Sequence, residues 1–270
     1  MMSYLPEGYL INSKENNFYL SSIENFNRAF FEKIPLEQRA TFCDCNHNLH
    51  IDFGFIHGII PKDECATGIK EGTTKDIAII SRVNKPVRFI IKEISETGNK
   101  KIAILSRLDV QKSFLNDHLP TIIPGDIIDA RVTHLESFGV FCDIGCGINA
   151  LLPIDNISVS RIPHPGARSA VGDDIKVVVK AFDESGRVIL SHKELLGTWE
   201  ENAAYFNVGE TVSGIIRSIE NYGIFVELTP NLSGLAEYTD EVVNGQQASV
   251  FIKSIIPEKM KFKLIIVDAF

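Results

Sequence analysis

The chain repeats itself, and the repeat limits its fold more tightly than any other feature. SFGVFCDIG (137–145) lies beside NYGIFVEL (221–228): an aromatic, glycine, an aliphatic, phenylalanine, then an acid two residues on. Each is preceded by a similar run, PGDIIDARVTHLES (124–137) and VGETVSGIIRSIEN (208–221). Each is followed by a second β-rich run, GDDIKVVVKAFDESGRVILS (172–191) and GQQASVFIKSIIPEKMKFKLIIV (245–267). Phe141 and Phe225 stand 84 residues apart, about one small β-barrel. A weaker copy lies upstream, where NHNLHIDFGFIHGIIP (46–61) aligns on SFGVFCDIGCGINALLP with one residue fewer. In this register His47 and His50 occupy the places of Phe138 and Phe141.

The remaining organisation follows from periodicity. Ile23, Phe26, Phe30 and Ile34 recur at three- and four-residue spacing, which predicts one helix from about Lys14 to Lys33, ended by Pro35. From Thr41 the texture changes to short alternating apolar runs separated by Gly, Asn, Asp and Pro, the pattern of small antiparallel β units. The parse is an N-terminal helical segment (1–35), modules at 36–118, 121–195 and 206–270, and a helical linker at 196–205 with Leu196, Trp199 and Ala203 on one side.

At these residues the chain resembles the S1 RNA-binding domain, a five-stranded OB-fold module. The middle module carries GDIIDARV, SFGVF, GDDIKVVV and FDESGRVILS in the family's order. The third keeps VGETVSGII, NYGIF and LSGLAE with a shorter loop between its third and fourth strands, and the first is degenerate. The resemblance implies a mainly β protein of three tandem OB-fold barrels. It implies that oligonucleotides are held on the face formed by strands 2 and 3. Carried over, the RNA-binding residues of the middle module are Phe138, Phe141, Asp183 and Arg187, while the family histidine falls on Pro153. In the third module they are Tyr222, Phe225 and Lys261, with Glu237 in place of the histidine and Pro257 in place of the aspartate. In the first, His47 and His50 are the candidates for stacking, with Lys100 and Lys101 as nearby cations and Pro61 where the histidine would be.

Physical chemistry supports the aromatic frame independently. Every base has a π-face, so stacking on an aromatic ring tolerates any sequence and contributes about 1–3 kcal/mol per base. Strict strand alternation would put Phe138 and Phe141 on opposite faces, so a bulge or bend at Gly139 is expected to bring both rings to one surface. The bland alternative packs one phenylalanine in the core. Arg187 suits a bidentate phosphate contact, against the alternative of a surface arginine paired with Asp183. Arg131, Arg161, Arg168, His164 and Lys180 are candidates for a basic rim, with Arg217 and Lys253 as their counterparts in the third module. A net charge of −8 argues against binding driven by bulk counterion release, so any nucleic-acid function needs such a local surface.

Other chemistries find less in the sequence. Cys43, Cys45, His47 and His50 fall within eight residues, but structural zinc sites take paired cysteines at a wider spacing with a second pair at a distance. Self-alignment explains the two histidines as occupants of aromatic positions, and no metal or cofactor is expected. Cys142 and Cys146 read as strand and turn thiols. Five cysteines without a framework spacing point to reduced, cytoplasmic thiols. The N-terminus shows neither a basic head nor an apolar core of an export signal, and no apolar run suggests a membrane. No nucleotide-binding, hydrolase or zinc-protease motif is present, so the chain is not expected to be an enzyme. The expected partner is single-stranded RNA, with messenger RNA and the ribosome implied by the resemblance. The alternative is an adaptor whose degenerate modules dock on a ribosome, RNA polymerase or nuclease. Oligomeric state is not legible.

Overall fold

A computed structural model describes residues 4–97, 100–160 and 162–270, and Arg161 lies outside them. The chain divides into two compact units, one of residues 1–123 with 129–131 and 143–149, the other of 124–128, 132–142 and 150–270.

The N-terminal periodic segment forms two helices rather than one, α1 (Lys14–Tyr19) and α2 (Ile23–Glu32). Ser13 and Ser22 explain the break. Each side chain accepts a hydrogen bond from the backbone N–H three residues on, Asn16 and Asn25, so each starts a helix of its own. The apolar face of α2 still does what its spacing predicts: Phe26 and Ala29 are buried, and Ile23, Phe30 and Ile34 pack around the same core.

That core is completed by β1 (Leu36–Arg39), β2 (Phe42–Cys43), β3 (Leu49–Asp52), β4 (His57–Ile60), β5 (Pro86–Thr97) and β6 (Lys100–Ser106). Two short helices, α3 (Ile77–Ile80) and α4 (Leu108–Ser113), flank them. The sheet runs β1-β5-β6-β4-β3-β2 and is open. Its two outer strands are consecutive in sequence. They act as one first strand cut at Ala40–Thr41, whose first half pairs with β5 and whose second half pairs with β3.

The middle module closes as a barrel, β10-β11-β9-β8-β7, from β7 (Ile127–Glu136), β8 (Gly139–Asp143), β9 (Asn149–Pro153), β10 (Asp174–Phe182) and β11 (Val188–Ser191). The third does the same in the order β12-β13-β14-β16-β15, from β12 (Thr211–Glu220), β13 (Gly223–Thr229), β14 (Leu232–Ala236), β15 (Gln247–Ile256) and β16 (Lys261–Ala269). In both, strand 3 pairs in parallel with strand 5, the closure of an OB-fold. The connector before the third module is short: Gly197 breaks the chain at φ +82°, and Thr198 and Glu201 form a capping box for α5 (Trp199–Ala203). Trp199 and Ala203 are buried with Ile216, Phe262 and Leu264, while Leu196 is only partly covered.

The first unit holds a buried ionic cluster. Glu7 receives two hydrogen bonds from Arg107, at 2.6 and 2.9 Å, one from Arg82 at 3.3 Å and one from the Arg88 backbone. Its own N–H donates to Asp143 at 2.7 Å. The guanidinium of Arg88 meets Glu37 at 3.1 Å, both fully buried. Burial, the largest single influence, would raise the Glu7 carboxyl, but Arg107 together with Arg82 and the Arg88 backbone N–H holds Glu7 below the usual range. Asp143, buried with the charge of Glu7 beside it, is pushed up to about 6.

Candidate nucleic-acid interface

Phe138 and Phe141 come together by a simpler route than a bulge at glycine. Phe138 lies in the turn that precedes β8, not on the strand, and is 53% exposed. Phe141 is on the strand, between buried Val140 and Cys142, and faces outward. Their ring centroids are 6.1 Å apart in an edge-to-face arrangement. The third module repeats the geometry, with Tyr222 in the turn before β13 and its ring 6.2 Å from that of Phe225 at 86°. Neither phenylalanine packs in a barrel core. In the third module the register shift falls on β12, between Ile216 and Ser218, rather than at the glycine.

What the glycine supplies is room. A Cβ on Gly139 would stand 2.6 Å from the carbonyl oxygen of Leu152 and 3.0 Å from the Cα of Pro153. A Cβ on Gly223 would meet the carbonyl of Ala236 at 2.5 Å. The obstacle is backbone in both barrels, so no side-chain rotation relieves it, and the second strand can lie against the third only at glycine. His134, from β7, joins the middle platform with its ring stacked 6.5 Å from that of Phe141.

Asp183 and Arg187 frame the turn between β10 and β11, but not as a side-chain ion pair. The Asp183 carboxylate accepts from the backbone N–H groups of Ser185 and Arg187, both at 2.8 Å. Asp183 therefore fixes the turn, and the exposed guanidinium of Arg187 has no partner among the described residues. Lys261, exposed at the start of β16, has none either.

Most of the expected basic rim is otherwise engaged. Arg168 and Arg217 both grip Glu227, each at 2.6 Å. Arg131 donates to the Glu7 carbonyl and lies over the Tyr9 ring, Lys180 bonds Asn156, and Lys253 pairs with Glu237. His164 accepts from the Gly166 N–H at its own turn.

In the first module the two predicted histidines part company. His47 sits in the β2–β3 turn at φ +63° and pairs with Asp76 at 3.0 Å. His50 is on β3, opposite Ile59, and Ile59 pairs in parallel with Ile104. This is where Phe225 stands in the third barrel, opposite Leu235, which pairs with Lys263. Phe42 stacks with His50, and His57 lies tilted beside that ring. Both were invisible to an alignment along one strand, because they lie on its two neighbours. Lys101 is paired with Glu96. Asp44 accepts from Asn48 and His50 and is held down to about 2. Among the described residues no group of three or more His, Cys, Asp or Glu is placed to hold a metal ion.

Two closed barrels of OB topology, each with an aromatic pair beside its second strand, and a split sheet in the same strand order define a tandem OB-fold protein. The middle module belongs to the S1 RNA-binding domain family: residues 121–193 match the model described as "S1 RNA binding domain". The chain is 31% identical over 196 residues to small ribosomal subunit protein bS1 of Staphylococcus aureus (strain COL), covering 66% of this chain and 49% of that protein. It is 28% identical over 233 residues to the protein of the same name from Leuconostoc lactis, covering 80% and 52%. The chain thus spans about half the length of the curated relatives it matches. Among solved structures, a multidomain protein with nucleic acid binding domains from Streptococcus pneumoniae aligns over 86% of this chain and 73% of that one, at 14% identity and a TM-score of 0.26, too distant to add to the fold assignment.

Proposed function

We propose that the chain binds single-stranded RNA without strong sequence preference, through three modules at 36–118, 121–195 and 206–270, and that it serves translation as a ribosomal protein S1-like factor. The observation that carries this reading is the duplicated edge-to-face aromatic pair, Phe138/Phe141 and Tyr222/Phe225, beside the second strand of each closed barrel, with Phe138 and Tyr222 exposed and Phe141 and Phe225 half-buried. Burying such rings would be the ordinary use of phenylalanine. Two barrels that present them identically at the surface provide faces for bases to stack on. Arg187 and Lys261 supply phosphate contacts, Asp183 holds the turn that carries Arg187, and the modules add their weak sites through effective concentration. The S1 domain match and the bS1 relatives support a role in translation, with messenger RNA and the ribosome as the proposed partners. No catalytic step is assigned.

The test is a titration of the full chain with a short single-stranded RNA at low and moderate salt, comparing wild type with Phe138→Ala/Phe141→Ala. Micromolar binding that the double substitution weakens by at least about fivefold supports the reading. Wild-type binding that ignores the substitution, or no binding at all, would leave the modules as protein-docking surfaces.

A further inference from the structure

The middle and third barrels differ at the edge where strand 3 meets strand 5. In both, that parallel pairing is short: Leu151 with Ile189 in one, and Gly234 to Ala236 with Phe262 to Leu264 in the other. Past it, the last strand presents a free side. In the middle barrel the chain between β9 and β10, residues 154–173, seals that side. Asn156 accepts from the His192 N–H at 2.8 Å and donates to the Leu190 carbonyl at 3.2 Å, so one residue satisfies two backbone groups at the end of β11. Ile157, Ile162 and Pro165 of the same segment are buried.

The third barrel has no such seal. Residues 237–246 stand in place of that segment, form no helix and bury only Val242. Among the described residues no strand pairs with β16 beyond Leu264 on its β14 side, and no backbone hydrogen bond joins residues 237–246 to 265–269. Between them lies a groove of about 300 Å³, walled by Tyr238, Val242, Ile265 and Val267 among others. Its apolar side chains are open to solvent: Val267 is 61% exposed, and Tyr238 and Ile265 are exposed as well. The free edge, residues 265–269, is roughly 17 Å long at about 3.4 Å per residue.

Charge decides what lies there. The walls include Glu237, Glu241 and Asp268 and no cation. Glu237 already holds Lys253 at 3.3 Å, whereas Glu241 and Asp268 have no cationic partner among the described residues. Such a rim repels phosphate, and a second copy of the chain would bring its own carboxylates against it. An extended peptide with lysine or arginine between apolar residues matches the edge, the apolar groove and the acids together.

We propose that the open edge of β16 receives an extended, basic and apolar segment of a partner protein, which adds to the third barrel as a further strand. Its backbone pairs with residues 265–269, its apolar side chains pack on Tyr238, Ile265 and Val267, and its lysines or arginines meet Glu241 and Asp268. Neither Tyr222 nor Phe225 lines the groove, so its occupation does not depend on the RNA reading.

The test titrates the full, isotopically labelled chain with a capped octapeptide of alternating lysine and valine, followed by amide resonances. Submillimolar binding is expected, with shifts and slowed hydrogen exchange at residues 265–269. Glutamate in place of lysine in the peptide should cost at least about tenfold in affinity. Val267→Lys and Glu241→Lys change exposed positions, so the fold is kept, and each should weaken the lysine-valine peptide at least about fivefold. No binding up to about 1 mM, shifts that fall outside residues 237–242 and 265–269, or equal affinity for the glutamate peptide overturns the proposal. A concentration-dependent dimer that Val267→Lys dissolves, or oligouridylate that displaces the peptide from these amides, also overturns it, because the edge then belongs to a second copy or to RNA.

Discussion

Replacing Gly139 by alanine sets two physical effects of opposite sign against each other. Gly139 does not adopt a left-handed φ, so alanine fits its backbone conformation. In open space the change would stabilise the fold by about 0.4–1 kcal/mol, because the unfolded chain loses freedom. The space is not open. The new methyl would stand 2.6 Å from the Leu152 carbonyl oxygen and 3.0 Å from the Pro153 Cα, where ordinary contact needs roughly 3.5 Å or more. Relief requires β8 to move away from β9, and overpacking of this kind costs about 1–3 kcal/mol. The net expectation is a destabilisation of about 1–2 kcal/mol, the overpacking cost less the entropic gain. Urea denaturation followed by far-UV circular dichroism reads it as a lower midpoint for the unit that contains β8, with the slope unchanged. Because Phe138 and Phe141 flank the displaced backbone, RNA affinity should fall in the same variant under conditions where it remains folded. A midpoint equal to or above wild type would refute the argument that close strand approach fixes this glycine.

Further measurements separate the roles of the other groups. Phe141→Ala should weaken single-stranded RNA binding by about 1–3 kcal/mol, roughly 5- to 150-fold, with the salt slope intact. Arg187→Ala should instead lower the slope of log affinity against log salt by about 0.7, which parallel titrations at several salt concentrations would show. Glu7→Gln leaves the buried Arg107 without its counter-charge and should destabilise the first unit by about 3–5 kcal/mol, detected as lost amide-exchange protection there and not in the second unit. Asp143, pushed up to about 6, binds its proton more tightly folded than unfolded. Its stabilising contribution is therefore complete below about pH 4 and lost as pH rises through about 6. Glu7, held down chiefly by Arg107 against its burial, contributes the reverse, lost as pH falls below its unfolded value of about 4.3. Thermal melts should show the first unit more stable near pH 5 than near pH 7.5; a flat profile, or one rising to neutrality, would contradict the assignment.

The strand order and the outward aromatic pairs were legible because they recur. A frame repeated at 84 residues marks which positions matter even where each copy alone is ambiguous, and it identified the cysteines of SFGVFCDIGCG as incidental to the frame. Local chemistry was less readable. Apolar spacing continues through Leu20–Ser22, so the helix looked unbroken, yet the serines at 13 and 22 cap two separate helices. The ionic cluster had no sequence signal at all: Glu7 finds Arg107 100 residues away and Asp143 136 residues away. Pairings across strands were equally hidden. The alignment found His50 on its own strand, but only hairpin register brings Phe42 and His57 to it. The same limit applies to Arg168 and Arg217, which looked like free cations until Glu227 was seen between them.

That last neutralisation has a consequence for what such a surface can tell apart. A duplex hides its base faces and offers a protein little but phosphate, and of the cations near these two barrels Arg168 and Arg217 are spent on Glu227 and Lys253 on Glu237. A breathing helix is different, because each base that swings out exposes a face that a waiting ring can cover. On the proposed reading, the protein would discriminate strandedness rather than sequence, and would bias structured messages toward their open forms by capture alone, with no motor and no nucleotide consumed.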